Sequence, residues 1–441
     1  MPRLRRPPLL VLLAAGLACG DAGRDATGTS DATGTSDAAS SSTTTDGSAS
    51  LTGETTSDAG TSAGTSPGTT SPGTTNPGTT DSATTSDATT GPGDTDGPPG
   101  PGGTVPVGGG DFFLLGANLP WKSYGGDFGG NNWGVYGVHT KGAEIASDLG
   151  ALAGDDMRVV RWFVFTDGRA GVDFDDGGVP LGVGEHVFED MDEALARASA
   201  AGVYLVPVLL DFHWAFWASY DNGVQMGGHA DTISDPGKRA ALVDAVIAPL
   251  LDHYADAPAI LAWEIMNEPE WVIADIPDPS VDGGAEAVAL ADFAALCASV
   301  ADEVHARTDA YVTLGSASLK WHRVWTPAFA AERGLPVIDL DIYQAHYYSW
   351  MDGQAYDDHP ELGTVAFSPL VQDYGALGLA RPMVVGELAL SSDAGATLDV
   401  ILSRGYAGAW PWSLNADFSI DAAGVKAWSD GQGALTQLPP P

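Results

Sequence analysis

From residue 112 onward, short runs of aliphatic and aromatic residues alternate with longer stretches whose apolar positions recur every three to four residues. This is the pattern of parallel strands joined by crossover helices. Eight runs read as strands, over 112–117, 157–165, 203–210, 260–266, 311–315, 337–346, 382–388 and 406–412. Helical spacing falls near 142–153, 188–201, 236–254, 285–307, 325–333, 365–378 and 394–403, with a further short piece near 421–430. Eight strand-plus-helix units in about 330 residues predict the α/β class and a (β/α)8 TIM barrel. An open doubly wound sheet would carry a glycine-rich phosphate turn after its first strand, where Gly116-Ala-Asn118-Leu-Pro-Trp121 stands instead. A barrel also demands that its chemistry sit at the C-terminal ends of the strands.

The chain before this region follows other rules. Arg3, Arg5 and Arg6 precede an apolar run from Leu9 to Ala18, the layout of an export signal, and about ten apolar residues are too few to cross a hydrocarbon layer of ~30 Å. Gly16-Leu17-Ala18-Cys19 resembles a bacterial lipobox, departing from it at Gly16, where leucine is usual. Lipid on Cys19 would attach the chain to a membrane at the cell surface; ordinary cleavage after Ala18 would secrete it. Beyond it, Asp-Ala-Thr-Gly-Thr-Ser occurs twice in succession from Asp25, and Pro-Gly-Thr-Thr begins at Pro67, Pro72 and Pro77. Such a stretch buries too little apolar surface to offset the ~1–2 kcal/mol per residue of ordering a backbone. The expected organisation is a signal peptide over 1–18, a disordered Ser/Thr/Gly/Pro-rich linker over 19–104 and one folded domain over 105–441.

Charge and cysteine usage narrow the partners. With 58 Asp and Glu against 19 Lys and Arg, the formal net charge is −39, which repels a phosphate backbone and excludes nucleic acid. Only 2 cysteines are present, so there is no disulfide scaffold, and Cys297, in Phe293-Ala-Ala-Leu-Cys297-Ala-Ser-Val, reads as a buried small hydrophobe on a helix. No His-Glu-x-x-His occurs, and Asp173-Phe-Asp175-Asp176 lacks the ligand order of an EF-hand and reads as an acidic turn. No metal and no cofactor are expected.

Two predicted strands end in acids. Residues 259–270 form an apolar run that closes on Asn267-Glu268-Pro269, and Arg381-Pro-Met-Val-Val-Gly-Glu387-Leu closes on Glu387. A carboxyl half-buried in a barrel mouth has its pKa raised toward the range useful for acid work. On the fourth and seventh strands, the two would face each other across one barrel end. Glycosidic bond cleavage needs such a pair, one carboxyl to protonate the leaving oxygen and one to attack or to activate water. Their separation decides stereochemistry, ~5–5.5 Å for retention and ~6.5–9.5 Å for inversion.

Asn267-Glu268-Pro269 on the fourth strand, with Glu387 on the seventh, resembles the clan A glycoside hydrolases, most closely family 5, over the whole of 111–441. That resemblance implies Glu268 as acid/base and Glu387 as nucleophile of a retaining double displacement. It further implies that Arg161, in Arg158-Val-Val-Arg161-Trp, pairs with the nucleophile and keeps it ionised, and that His213, in Leu210-Asp-Phe-His213, lines a sugar subsite. His346 and Tyr348 resemble the family's His-x-Tyr pair, with the hydroxyl near the nucleophile, and Asn267 is implied to bond the sugar 2-hydroxyl. Trp412 resembles the sugar-platform tryptophan, with Trp410 as the competing choice, and Asn118 and Trp121 join the substrate-binding set. Glu264 shares a face with Glu268 on strand alternation and reads as a structural partner deep in the barrel; Glu270 and Asp341 read as lying behind the site or in solvent.

Aromatics crowd two loops, Trp121, Tyr124, Phe128, Trp133 and Tyr136 after the first strand and Trp214, Phe216, Trp217 and Tyr220 after the third. They suit a cleft in which pyranose rings stack, with some used to pack loops on one another. The segments 159–168 and 260–269 are similar to those of family 5 β-mannanases, whereas Trp412-Ser-Leu is as similar to cellulases. The expected function is an endo-β-1,4-mannanase acting on a β-linked polysaccharide or oligosaccharide, as a monomer. A β-1,4-glucanase is the alternative, and a surface protein that binds polysaccharide without cleaving it is the reading from another class.

Overall fold

Eight parallel strands close into a barrel in chain order: β1 Leu114–Asn118, β2 Val159–Phe163, β3 Tyr204–Asp211, β4 Ala262–Asn267, β5 Tyr311–Ser316, β6 Ile342–Tyr347, β7 Met383–Leu388 and β8 Gly408–Pro411. Each overlaps one of the predicted runs, the sixth starting at Ile342 and not at residue 337, and the fold is a (β/α)8 barrel. The computed structural model describes residues 102–441. The predicted signal, Cys19 and all but the last three residues of the predicted linker lie outside the described residues.

Helices cover the outside: α1 Gly142–Gly154, α2 Val187–Ala201, α3 over 236–253, α4 Leu290–Arg307, α5 Pro327–Arg333, α6 Ala394–Ser403 and α7 Ala422–Gln432. In α3 the turn Val243–Ile247 is a π-helix just ahead of Pro249, whose ring and missing amide an unbroken α-helix would not accommodate. Cys297 is fully buried in α4, and burial pushes its thiol well up, as suits a packing residue. Among the described residues no helix is long and apolar enough to cross a membrane.

The structure departs from the sequence reading between β6 and β7. Residues 365–378, expected to be helical, hold instead the end of strand Gly363–Ala366, paired antiparallel with Ala355–His359, and a single 3-10 turn, Tyr374–Leu377. Pro369 has no amide to continue a helix, and Gly378 ends the turn at φ +67°. Helix α4 starts at Leu290 instead of residue 285, because Ala285 and Val288 pair with Phe216 and Ile273. Strand β1 starts late for a similar reason. Gly110–Phe112 turns back on Val105–Val107, and this hairpin plugs the N-terminal end of the barrel, with Val105 and Val107 packed among Leu114, Tyr204, Tyr311 and Trp410.

Strand alternation sorts the side chains. On β2, Val159 joins the barrel interior, Val160 and Trp162 face the helices, and Phe163 packs against Val208 and Trp412 near the mouth. Between the apolar floor and that mouth lies a layer of buried polar residues, Asn118, Arg161, Glu264 and Gln344, on which the site is built.

Candidate active site

Arg161, fully buried on β2, makes five hydrogen bonds with its five N–H groups. Nε and Nη2 grip Glu264 at 2.7 and 2.6 Å, Nη1 donates to Glu387 at 2.7 Å and to Asn118 Oδ1 at 3.0 Å, and Nη2 also donates to Asn267 Oδ1 at 2.7 Å. Burial works against the guanidinium charge, and Glu264 and Glu387 more than restore it, so the pKa rises and Arg161 stays charged. Two glycines make room for this layer. A Cβ at Gly315 would stand 2.3 Å from Glu264 Oε1, and one at Gly386 would stand 1.8 Å from Gln344 Oε1. Glu264 thus has the structural place expected of it.

The carboxyls above this layer are aimed by irregular backbone. Strand pairing shifts register between Glu264 and Asn267, between Ala345 and His346, and between Val385 and Leu388, and such bulges re-aim side chains beside active sites. Glu268 takes a left-handed conformation, φ +45°, which costs a non-glycine residue on the order of 1 kcal/mol or more. Its amide, donating to Gly315 O at 2.6 Å, holds it there. On this backbone Asn267 and Glu268 both face the mouth, a placement that strict alternation from Glu264 does not give for both.

Glu268 Oε1 lies 2.7 Å from His346 Nδ1, and its Oε2 accepts from Trp271 Nε1 at 2.7 Å. Burial, against the pull of that one indole donor, pushes the Glu268 carboxyl up to about 7. Burial also lowers His346 to about 4, so the ring is neutral at pH 7. Gln344 Nε2 donates to Glu264 Oε2 at 2.9 Å, which turns Gln344 Oε1 toward His346 Nε2 at 3.2 Å. This network assigns the ring proton to Nε2 and leaves Nδ1 to accept the proton of Glu268. Glu387 is raised by burial, but Arg161 pulls it back, as does the Tyr348 hydroxyl, which donates to Oε2 at 2.7 Å. Of the two carboxyls, Glu387 has the charged partner Arg161 and Glu268 does not, so Glu268 is the one that keeps its proton. One ligand atom from each of Glu268, His346 and Glu387 lies within 4.8 Å of the others.

The remaining predicted residues separate. His213 sits beside the mouth with Nδ1 bonded to Asp211, and its ring meets Tyr124 edge-on; burial opposes its protonation, yet Asp211 prevails and raises its pKa. Trp412 and Trp121 pack edge-to-face at 5.8 Å over Phe163. Trp410 is fully buried at the barrel floor, where its Nε1 donates to Leu114 O, so it cannot be the platform. Asn118, expected to bind substrate, is fully buried and gives its amide protons to Gly386 O and Trp410 O at 2.9 Å; it holds Arg161 from below. Arg161 likewise has no donor left for a ligand. Of the loop aromatics, Phe128 and Trp214 are core residues, whereas Trp217 is 60% exposed and Tyr220 69%. Glu270 is fully buried, accepting from Ser316, Ala317 and Trp325, and burial raises it to about 7. Asp341 is buried too, and accepts from Val312 N and faces His305 Nε2.

Three site residues escaped the sequence reading. Asp211 accepts from Asn267 Nδ2 at 2.7 Å while holding His213; it is an acid at a strand end, the same signal that marks Glu387. Gln344 lies two residues before His346 and so on its face. Trp271 is three residues after Glu268, with nothing in its type or spacing to mark it as a donor.

No protein-family model matches the chain. The chain is similar to the mannan endo-1,4-β-mannosidase of Mytilus edulis, 25% identical over 333 residues that span 68% of this chain and 83% of that one. Solved structures that share the fold include the β-mannanase of Mytilus edulis, with a TM-score of 0.61 and 22% identity over 77% of this chain and 98% of that one. Another is the β-1,4-mannanase of the sea hare Aplysia kurodai, with a TM-score of 0.62 and 23% identity over 76% and 97%.

Proposed function

We propose that this barrel is a retaining endo-β-1,4-mannanase. The relatives it resembles are glycoside hydrolases named for mannan, in keeping with the family resemblance of Asn267-Glu268-Pro269 and Glu387. The observation that carries the mechanism is the pairing of Glu268 with Glu387 around His346, with ligand atoms within 4.8 Å. So close an approach of the nearest carboxyl atoms supports a retaining pair, whose carboxyls stand ~5–5.5 Å apart, over an inverting pair at ~6.5–9.5 Å.

Each residue then has a task. Glu387, held ionised by Arg161, attacks the anomeric carbon, and Glu268 gives its proton to the departing sugar oxygen. A water takes the place of that sugar, Glu268 accepts its proton, and the glycosyl–Glu387 ester is hydrolysed with the β configuration restored. Arg161 and Tyr348 keep the Glu387 oxygens oriented. Asn267, its Oδ1 bonded to Arg161 and Nδ2 to Asp211, retains one Nδ2 proton for the sugar 2-hydroxyl. Trp412, Trp121 and His213 line the mouth against the ring faces.

Reducing-sugar release from mannan, glucomannan, carboxymethylcellulose and xylan tests the substrate. Activity on mannan is expected, and activity on cellulose alone overturns it. Proton NMR of the first product tests the mechanism, an initial α anomer overturning it. The export signal, the 19–104 linker as a tether and the attachment of lipid to Cys19 belong to the same proposal of a protein acting on polysaccharide outside the cell. Mass spectrometry of the mature N-terminus tests that part, an unmodified Cys19 removing the anchor.

A further inference from the structure

A second cluster of ligating side chains lies apart from the catalytic pair. His139 sits in the turn Val138–Thr140 at the end of the long β1–α1 loop, His186 immediately precedes α2, and Glu189 lies in the first turn of that helix. One ligand atom from each lies within 4.8 Å of the other two. The two imidazoles stack, with centroids 5.4 Å apart and planes 23° from parallel.

Two features of this cluster go beyond proximity. Asp190, fully buried, accepts from Gly129 N at 2.8 Å and His139 N at 2.9 Å, and its Oδ1 lies 2.6 Å from His139 Nδ1. A carboxylate so placed fixes the proton on Nδ1 and leaves the Nε2 lone pair free, the arrangement that orients metal-binding histidines. Gly137 is needed for this approach, because a Cβ there would stand 2.1 Å from Asp190 Oδ1. The second feature is His186 itself, held at φ +69°, a left-handed conformation in which histidine is strained and which marks functional positions.

From this geometry we propose that His139, His186 and Glu189 form a binding site for a divalent transition ion of the zinc class. Two imidazoles and a carboxylate suit such an ion. Around a tetrahedral centre with bonds of ~2.0–2.2 Å the donors stand roughly 3.3–3.6 Å apart; His186 Nδ1 and Glu189 Oε2 now face each other at 2.8 Å, and the exposed Glu189 side chain is free to open that pair around an ion. A water takes the fourth position. The ion would pin the β1–α1 loop to the start of α2. Upstream in that loop, Trp133 donates from Nε1 to Asp221 O at 3.0 Å and stacks on Arg169, so the ion would brace an aromatic rim that reaches the β3–α3 loop.

The test is calorimetric titration of zinc chloride into the full chain after chelator treatment, all samples carrying Cys19→Ser. One equivalent is expected to bind, and to raise the melting midpoint. His139→Gln and His186→Asn, the latter tolerating positive φ, are each expected to weaken binding at least tenfold and abolish the melting shift, while His186→Asn leaves basal hydrolysis of mannan unchanged. Glu387→Gln should bind zinc as the parent does. Absence of saturable binding, equal binding by parent and His186→Asn, or loss of binding in Glu387→Gln would each overturn the site, the last by moving the ion to the catalytic cluster.

Discussion

Among the described residues Trp271 is the one donor to the Glu268 carboxyl, its Nε1 standing 2.7 Å from Oε2. That bond is stronger to the ionised carboxylate than to the acid, so it holds the pKa down while burial pushes it up to about 7. Trp271→Phe removes the donor and keeps an aromatic ring in a site that is 9% exposed. A hydrogen bond to a charged group is worth ~1.5–3 kcal/mol, of which the part that differs between the two protonation states sets the shift. At 1.36 kcal/mol per pH unit, the alkaline limb of kcat/KM should move upward by about one unit. The sign follows from the role. In the proposed mechanism Glu268 must carry its proton to act on the leaving oxygen, so activity should hold below the pKa and fade above it. At pH 9 the variant should therefore hold about tenfold more of the protonated form than the parent. At pH 5 both are protonated, and the variant has no advantage. The assay is kcat/KM on a mannooligosaccharide between pH 4 and 10, which reports the free enzyme. Alkaline limbs that coincide, or a limb displaced to lower pH in the variant, would refute the assignment of Glu268 as the proton donor held by Trp271.

Three further outcomes follow from the same geometry. Glu387→Gln should lower turnover roughly 10³-fold or more while affinity electrophoresis in mannan shows binding retained; loss of both together points to misfolding instead. Arg161→Met leaves Glu264 buried without its cation, at a cost of about 3–5 kcal/mol in urea unfolding, and adding Glu264→Gln should recover part of it. Glu270 has no part in the proposed mechanism, yet burial raises it to about 7. Its raised folded pKa contributes stability that is full below its unfolded value and lost as pH rises through about 7, about 3 kcal/mol in all. Unfolding at pH 5 and pH 8 should thus show a smaller decline in Glu270→Gln than in the parent, and identical declines would show that the Glu270 carboxyl is not buried as described.

The barrel was legible because its signal is redundant. Strands such as 260–266 and 382–388 are apolar on both faces, as parallel strands covered by helices must be, and eight of them with helices between leave few topologies. The segment that failed, 365–378, lacks that redundancy. Its apolar residues Val365, Phe367 and Leu377 are buried, so their spacing carries real packing, but Pro369 and the glycines break the backbone that would turn it into a helix. Which loop aromatics would be core, as Phe128 and Trp214 are, was not legible for the converse reason, since a loop aromatic has no period from which to read whether it faces the cleft or the core. Asn118 was placed at the strand end correctly, but the partners of its amide, Gly386 O and Trp410 O, come from strands that only closure of the barrel brings to it.

The Glu387 carboxyl on β7 shows why motif and period give different information. Val384 packs in the barrel interior, Val385 faces the helices, and Gly386 meets the Gln344 side chain inside. Strict alternation would then send Glu387 outward, into the apolar layer between strand and helix, where an unpaired charge is costly. The register shift between Val385 and Leu388 turns it back to Arg161 instead. Three of the strands that carry site residues shift register close to those residues. An acid at the end of an apolar strand is therefore readable as a site from its chemistry, because burial facing the helices has no cation to offer it. The interior layer has one, Arg161, and its five donors reach four different side chains. A lysine there, with three donors and no planar fork, would leave at least one of Glu264, Glu387, Asn118 and Asn267 without its bond. The backbone departs from regular strand geometry where it must deliver groups to that guanidinium.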